Sequence, residues 1–323
     1  CDDFDTYFAD VGSVSEINLD VTTVKCPEGD GNDLDEILVE SGKTLTFSTT
    51  GSFLQFINVR FTVEDGASLI FDMDDTRFGP NFGNSENSGG YMLNVDEGGS
   101  ATFKRAITAS SIRNFRSVFF NAGTMEIKGD ALFEDNGNVF RSNEGTLKFR
   151  GNAEFKNNRY LAIDNIGPDA FVRFSKTVFF DDNAGEHFEG TEGCGVSNEE
   201  GTVIFRDDAL FPNHGCYEGS AVFNGGKMRF YGKAYFEDND NQNYNGGGVK
   251  NTGGSLIFKA AAQFNRNGGE MGGGLAVDGG EVTFNKAVMF DGNDADDTGG
   301  AFAVTSEGSL TFKKPSVVRY RDN

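Results

Sequence analysis

A pattern that returns about every 25 residues and is marked by phenylalanine constrains this chain more than any other feature. Its clearest copies begin at Gly145 and Gly280, and each copy carries Phe at its fifth and eleventh positions. A fixed period of this length is typical of solenoids, in which each repeat packs on its neighbours. The sequence therefore predicts an elongated stack of coils.

Two rows of phenylalanine and two rows of asparagine follow this period. The first aromatic row is Phe47, Phe71, Phe103, Ile127, Phe149, Phe174, Phe205, Phe230, Phe258, Phe284 and Phe312. The second is Phe78, Phe133, Phe155, Phe180, Phe211, Phe236, Phe264, Phe290 and Tyr320. Three residues after each member of the second row come Asn81, Asn136, Asn158, Asn183, His214, Asn239, Asn267, Asn293 and Asn323. A third strand is expected to end at Asn94, Asn121, Asn143, Asn165, Asn198, Asn224, Asn251 or Asp278.

The segments around these rows have the pattern of short strands. They alternate, are rich in β-branched and aromatic residues, and are separated by Gly, Asn and Asp. Equivalent strands stacked in parallel at about 4.8 Å would place Phe on Phe inside and Asn on Asn at the corners. The crossover rule favours right-handed winding.

We therefore predict an all-β, right-handed parallel β-helix of about ten coils over residues 42–323, with stacked Phe and Asn ladders. Residues 1–41 lack the repeat and are predicted to be an N-terminal capping segment, since the open end of a β-helix exposes strand edges that need covering.

The coil varies in length mainly between the second-row Asn and the third strand. All insertions should therefore leave the rod at one corner. These loops are Phe82–Ser88, Ala184–Gly193, Gly215–Gly219, Asp240–Gly246, Gly268–Gly272 and Asp294–Thr298. Loops on one edge of a rigid scaffold are where a solenoid usually carries specificity, although turns also tolerate insertions that have no function.

The charge balance narrows the choice of partner. Fifty acidic residues against 28 basic ones give a net charge of −22. Nucleic acids and anionic membranes are therefore disfavoured, while divalent cations and basic partners are favoured. The sequence contains no apolar run long enough to span a bilayer.

The four cysteines form two close pairs in the sequence. We expect disulfides Cys1–Cys26 and Cys194–Cys216, and therefore a secreted or cell-surface location. Free thiols, or a zinc site that adds His187 and His214, are the alternatives for these residues.

Acidic residues recur in clusters, of which Asp291, Asp294, Asp296 and Asp297 form the densest. Carboxylates beside amide and carbonyl oxygens suit calcium, which makes this group the candidate metal site. The alternative is a solvated acidic face, and no other cofactor is predicted.

No catalytic residue is predicted. Carbohydrate-active β-helices need carboxylates that converge on one strand face. Here the charges follow the repeat instead. The residue after the first aromatic row is often basic, as at Lys104, Lys128, Arg150, Arg206, Lys259 and Lys313.

Phe-x-x-Asn followed by Gly-Gly and an aliphatic residue occurs three times near the C-terminus. The copies pair Phe236–Asn239 with Gly247–Val249, Phe264–Asn267 with Gly273–Leu275, and Phe290–Asn293 with Gly299–Ala301. Over roughly residues 68–323, this combination resembles the repeats of polymorphic outer-membrane proteins and related surface β-helices. The resemblance implies a parallel β-helix displayed at a cell surface, often as an adhesin.

We expect a non-catalytic, extracellular or cell-surface structural or adhesive protein within a larger assembly. Its expected partners are other extracellular subunits or surface glycans. End-to-end self-association through the C-terminal coil, near Phe312–Asn323, is also expected, because strand edges there need a partner. The alternative is a carbohydrate-active β-helix enzyme, namely a polysaccharide lyase, hydrolase or epimerase.

Overall fold

The computed structural model describes residues 16–19, 23–25, 35–79, 90–112, 117–142, 144–183, 193–216, 219–241, 244–314 and 317–323. These residues form strands and turns. They contain no helix, and so none that could cross a membrane.

Three long parallel sheets form the sides of the stack, and the chain visits them in turn. Sheet 1 contains strands Glu16–Leu19, Thr44–Thr49, Ser68–Asp72, Ser100–Phe103, Thr124–Ile127, Thr146–Phe149, Phe171–Phe174, Thr202–Phe205, Lys227–Phe230, Ser255–Phe258, Gly280–Phe284 and Gly308–Phe312. Sheet 2 contains Thr23–Lys25, Leu54–Ile57, Asp75–Phe78, Ala106–Ser110, Ala131–Glu134, Ala153–Lys156, Val178–Asp181, Ala209–Pro212, Ala234–Glu237, Ala262–Asn265, Val288–Asp291 and Val318–Arg321. Sheet 3 contains Asp35–Val39, Val59–Val63, Tyr91–Val95, Ser117–Asn121, Phe140–Ser142, Ile163–Asn165, Val196–Asn198, Val222–Asn224, Val249–Asn251, Leu275–Val277 and Phe302–Val304.

A fourth, small sheet lies at the corner between sheets 2 and 3, and we refer to it as the corner sheet. Its parallel strands are Asp240–Asn241, Gly268–Met271 and Asp294–Thr298. The predicted insertions of three successive coils therefore do leave the rod at one corner, and they pair with one another there.

The aromatic rows form the core as predicted. In the first row Phe258 stacks on Phe284 with ring centroids 4.6 Å apart, and in the second row Phe236 stacks on Phe264 at 4.8 Å. The two rows meet edge to face, as at Phe258 and Phe264. These rings are fully buried. The predicted all-β solenoid of about ten coils is confirmed, because the in-register Phe columns repeat at the spacing of parallel strands.

The second row has one gap, which sheet 3 fills. Ala109 lies in register between Phe78 and Phe133. Phe119 of sheet 3 contacts both of these rings, at centroid distances of 5.6 and 5.9 Å. The lost aromatic volume is therefore replaced from another side of the coil, as close packing requires.

Strand pairing extends into the segment predicted to be a cap. Glu16–Leu19, Thr23–Lys25 and Asp35–Val39 each add in parallel to one of the three sheets. Ile17 lies in register with Phe47, and Val24 lies in register with Phe56. Aliphatic residues thus take the aromatic positions here, and the capping role of residues 1–41 stays a prediction.

Two members of the predicted third-strand row are wrong by one residue. Val95, and not Asn94, lies in register with Asn121. Similarly, Val277, and not Asp278, lies in register with Asn251. Inward and outward side chains alternate along a strand, so a shift of one residue puts Asn94 and Asp278 off the inward position. Asn81 and Asn143 lie outside the described residues.

Candidate functional site

The corner between sheets 2 and 3 has the same construction in successive coils. The second-row Phe is followed by one strand residue, then by a residue with positive φ, and then by the ladder Asn. The positive-φ residues are Asp135, Asn157, Asp182, Asn213, Asp238, Arg266, Gly292 and Asp322, and Ser111 holds the equivalent position in the coil where Ala109 replaces the Phe and Ile112 the Asn. Asp, Asn and Gly tolerate this conformation better than other residues. Part of the recurring acidic pattern is therefore a requirement of the turn.

A ladder of buried Asn side chains closes this corner. Asn239 Nδ2 donates to Asn267 Oδ1, and Asn267 Nδ2 donates to Asn293 Oδ1, both at 2.8 Å. Asn239 Nδ2 also donates to the Phe211 carbonyl at 2.9 Å. Buried amides with satisfied donors hold the turns of successive coils in fixed register.

A second ladder follows the inner side of sheet 3. Asn165 donates to Asn198, Asn198 to Asn224, and Asn224 to Asn251, each at 2.7 Å from Nδ2 to Oδ1. The predicted Asn ladders are thus both present, one at the insertion corner and the other at the far end of the sheet 3 strands, where the chain turns toward sheet 1.

His214 interrupts the first ladder. It lies between Asn183 and Asn239, its Nδ1 is 3.1 Å from the Asn183 carbonyl, and its backbone N–H donates to Asn239 Oδ1 at 3.0 Å. Its Nε2 is buried without a hydrogen-bond partner. Burial lowers the pKa of His214 to about 4, against an opposing effect of its hydrogen bonds to backbone carbonyls. The ring is therefore neutral at physiological pH.

The cysteine pair beside this break is oxidised. Cys194 and Cys216 form a disulfide with their Cα atoms 5.9 Å apart, and both side chains are buried. This confirms one of the two predicted disulfides. The zinc alternative for this pair is wrong, because a disulfide sulfur offers no thiolate to a metal. Cys1, Cys26 and His187 lie outside the described residues.

Glycines stand where the chain passes from each insertion into sheet 3, because the backbone there has positive φ or lies against the backbone of the next coil. Gly272 and Gly299 have φ of +64° and +74°. A Cβ on Gly273 would lie only 1.9 Å from the carbonyl oxygen of Asp294 in the next coil. The Gly-Gly-aliphatic motif therefore brings the chain from the corner sheet back into sheet 3 beneath the following loop.

An open groove of about 650 Å³ lies beside the corner sheet. Its charged lining is Asp238, Asp240, Arg266, Asp294 and Asp296. Arg266 donates to both carboxylate oxygens of Asp238, at 2.7 Å each, and to Glu237. These hydrogen bonds raise the pKa of the Arg266 guanidinium, Asp238 having the largest effect.

Arg266 was not predicted as a site residue. The sequence did contain one signal for Arg266. In the other described turns of this corner, the positive-φ position is held by Asp, Asn, Ser or Gly, and Arg266 is a basic residue at that position. It neutralises part of the groove, which otherwise presents carboxylates to solvent.

The four predicted calcium ligands do not all lie in one place. Asp294 and Asp296 line the groove, whereas Asp291 lies 3.9 Å from Arg321. Asp296 and Asp297 are both exposed, in a part of the strand where its register against Gly268–Met271 is irregular. In the described part of the chain, no three His, Cys, Asp or Glu side chains gather closely enough to hold a metal ion. The calcium site stays a prediction.

A second groove, of about 550 Å³, crosses the outer face of sheet 3. Its lining includes the carboxylates Asp164, Glu199 and Glu200, together with Ser197 and Phe223. Arg141 lies 3.8 Å from Asp164. The structure brings three acidic residues to one groove here, Asp164 from a strand and Glu199 and Glu200 from the turn after the next strand of sheet 3. This groove was not predicted from the sequence, because the strand and the turn belong to different coils.

These features define an all-β parallel solenoid with Phe and Asn ladders, one disulfide and an ordered corner of insertions. No protein family model matches the chain, and neither a curated protein nor a solved structure matches it significantly.

Proposed function

We propose that this protein is a non-catalytic, extracellular or cell-surface structural rod that contacts other surface subunits or glycans through its insertion corner. One observation carries the proposal. The insertions of three successive coils pair into a sheet of their own, so the variable part of the chain is held in place by backbone hydrogen bonds. A preformed surface loses little conformational freedom on binding, which favours recognition.

Two further observations support this location and role. The Cys194–Cys216 disulfide is typical of an oxidising compartment. The Phe-x-x-Asn and Gly-Gly-aliphatic motifs resemble those of polymorphic outer-membrane proteins, which are displayed at cell surfaces, and here they build the frame and the return of the corner.

The test is binding of the whole chain to a glycan array and to a surface that carries a lysine-rich peptide. We expect Asp294→Asn, Asp296→Asn and Asp297→Asn together to weaken binding at least about tenfold, since charge complementarity to the corner is removed. The matched control neutralises three exposed acidic residues elsewhere, Glu97, Glu281 and Glu307, by replacing each with Gln. An equal loss in both variants would reduce the binding to net charge and contradict a role for the corner.

Calcium binding at Asp291, Asp294, Asp296 and Asp297 and end-to-end association belong to the same proposal. Divalent cations would offset the repulsion between chains of net charge −22. Light scattering with calcium or with chelator measures calcium-promoted association, and a particle that stays monomeric in both conditions would contradict it.

The alternative is a carbohydrate-active enzyme, favoured by the three carboxylates of the groove on sheet 3. Incubation with acidic and neutral polysaccharides should produce new reducing ends or unsaturated products if this alternative holds. Loss of that turnover in Asp164→Asn or Glu199→Gln would assign it to the groove.

A further inference from the structure

The outer face of sheet 2 carries a stripe of apolar side chains that point to solvent. The side chain just before each second-row Phe points outward, because strand residues alternate between faces. At this position the register places the half-buried apolar residues Leu132, Phe179, Leu210, Tyr235 and Met289, and the polar residues Glu154, Gln263 and Arg319 in the coils between and after them. Phe179, Leu210 and Tyr235 occupy three successive coils, so their side chains form one continuous strip.

Charges of opposite sign flank this strip. The chain enters every sheet 2 strand from sheet 1 and leaves it toward the insertion corner. The entry edge carries basic residues, namely Lys128, Arg150, Lys176, Arg206, Lys233, Lys259, Lys286, Lys313 and Lys314. The exit edge carries acidic residues, namely Glu134, Asp135, Asp181, Asp182, Glu237, Asp238 and Asp291. From the strand Ala131–Glu134 onward, the exceptions among the described residues are Asp130, Asp207 and Asp208 at the entry edge and Lys156, Arg266 and Arg321 at the exit edge.

Several strands carry both charges at once. The pairs include Lys128 with Glu134, Lys176 with Asp181, Lys233 with Glu237, and Lys286 with Asp291. Lys233, Lys259 and Lys286 are exposed and form no ion pair with another described residue. On the exit edge, by contrast, Glu237 pairs with Arg266, and Asp291 lies 3.9 Å from Arg321. On a chain with net charge −22, an edge of free cations next to an apolar strip is a candidate contact surface.

We propose that two copies of this chain associate side by side through the outer face of sheet 2, with the rods parallel. Two such faces can meet about a twofold axis in only two simple ways. An axis parallel to the rods places the basic edge of each copy on the acidic edge of the other and brings apolar strip against apolar strip. An axis across the rods, in the plane of contact, would place like charges together.

The parallel arrangement also matches the charges coil by coil. It keeps every coil at the level of its equivalent, so Lys233 of one copy faces Glu237 of the other. The same holds for Lys286 and Asp291. A second copy therefore places the free cations of the entry edge against carboxylates of the exit edge, of which Glu237 and Asp291 also contact Arg266 and Arg321 of their own chain. This self-complementarity identifies the occupant.

The size of the face sets the strength of the contact. Four residues from Lys233 to Glu237 span about 13 Å, and the eight coils from Leu132 to Arg319 rise about 34 Å. The two flat faces together cover roughly 900 Å², which is below the range of tight complexes. The dimer is therefore weak and reversible, and sedimentation velocity over a wide concentration series should show rising average mass.

Charge reversal on both edges tests the geometry. One variant carries Lys176→Glu, Lys233→Glu and Lys286→Glu, which makes both of its edges acidic. A second carries Asp181→Lys, Glu237→Lys and Asp291→Lys, which makes both edges basic. Each variant alone should remain monomeric at concentrations where wild type dimerises, and an equimolar mixture should form a heterodimer. The mixture also shows that both variants are folded.

A zero-length carbodiimide cross-link tests the register. Equal amounts of ¹⁴N- and ¹⁵N-labelled protein are mixed and treated, and mixed-isotope peptides are sought by mass spectrometry. We expect a Lys233–Glu237 cross-link between copies, because within one chain the two residues are about 13 Å apart and cannot react.

The control reverses Lys43, Lys148 and Lys227 to Glu, which changes the net charge equally but lies on or just before strands of sheet 1. It should leave the dimer unchanged. A monomeric wild type, a dimer that survives both charge-reversed variants, or a mixture that fails to associate would each overturn the proposal. So would a monomer that binds cellohexaose and loses this binding in Tyr235→Ala, since the face would then belong to a glycan.

Discussion

Replacing His214 with Asn should remove a loss of stability that the wild-type protein suffers in acid. His214 is fully buried at a position otherwise held by Asn, and its pKa in the folded state is about 4, against an ordinary value of 6.5. In the unfolded chain the ring takes up a proton as the pH falls through 6.5, while in the folded protein it stays neutral. Protons are thus bound preferentially by the unfolded state between pH 6.5 and 4, so the folded state loses stability in this window.

The size of the effect follows from the two pKa values. A difference of about 2.5 units at about 1.4 kcal/mol per unit gives about 3 kcal/mol of stability lost by pH 4, with little further change below it. The Asn side chain has no proton to bind. Its amide can also rejoin the ladder between Asn183 and Asn239, in the way that Asn267 bridges its neighbours.

The assay is guanidinium unfolding of both proteins, followed by circular dichroism from pH 7.5 to pH 4. The quantity of interest is the difference between the two free energies of unfolding, in which the titration of carboxylates cancels. We expect this difference to move by about 3 kcal/mol in favour of the His214→Asn variant. A difference that stays constant within about 0.5 kcal/mol would refute the reasoning. Since the chain has two histidines, the variant also identifies the His214 signal for direct titration by NMR.

Three other changes test the Phe core, the disulfide and the corner sheet. Phe258→Ala should cost about 3–5 kcal/mol in denaturant unfolding, because its rings above and below are held in place, whereas the exposed Tyr231→Ala should cost less than about 1 kcal/mol. Replacing Cys194 and Cys216 together by Ser should cost about 3 kcal/mol, measured as a lower melting temperature that reducing agent does not lower further. Gly273→Ala should displace the corner sheet and speed hydrogen exchange in Gly268–Met271, while Gly215→Ala, with no atom closer than 3.8 Å to the new Cβ, should not.

The inward positions of sheets 1 and 2 could be predicted from the sequence because burial repeats with the period. A ring at Phe149, Phe174 or Phe205 must lie on its equivalents once the strands are parallel. The strands Glu16–Leu19 and Thr23–Lys25 escaped this logic, since the residues in register with Phe47 and Phe56 are Ile17 and Val24. A pattern defined by phenylalanine does not include these two residues.

The candidate site was less predictable, for two physical reasons. The corner strands, such as Asp294–Thr298, have no alternating apolar pattern, and they pair because the coils beneath them already hold them side by side. The division of charge across sheet 2 was present in the sequence as separate acidic and basic repeats. The structure shows that Lys233 and Glu237 flank one face, because Lys233 directly precedes and Glu237 ends the same strand of sheet 2.

Because whole coils stack in register, the number of coils in this protein can change while the packing inside each coil stays the same. Excision of residues 231–258 would bring Phe230 against Phe284 and leave every neighbouring ring in the environment it already has. The rod would become shorter by one step of about 4.8 Å. Gain or loss of a complete repeat by recombination would therefore change the length of the rod in fixed steps. The residues of the core would not have to change.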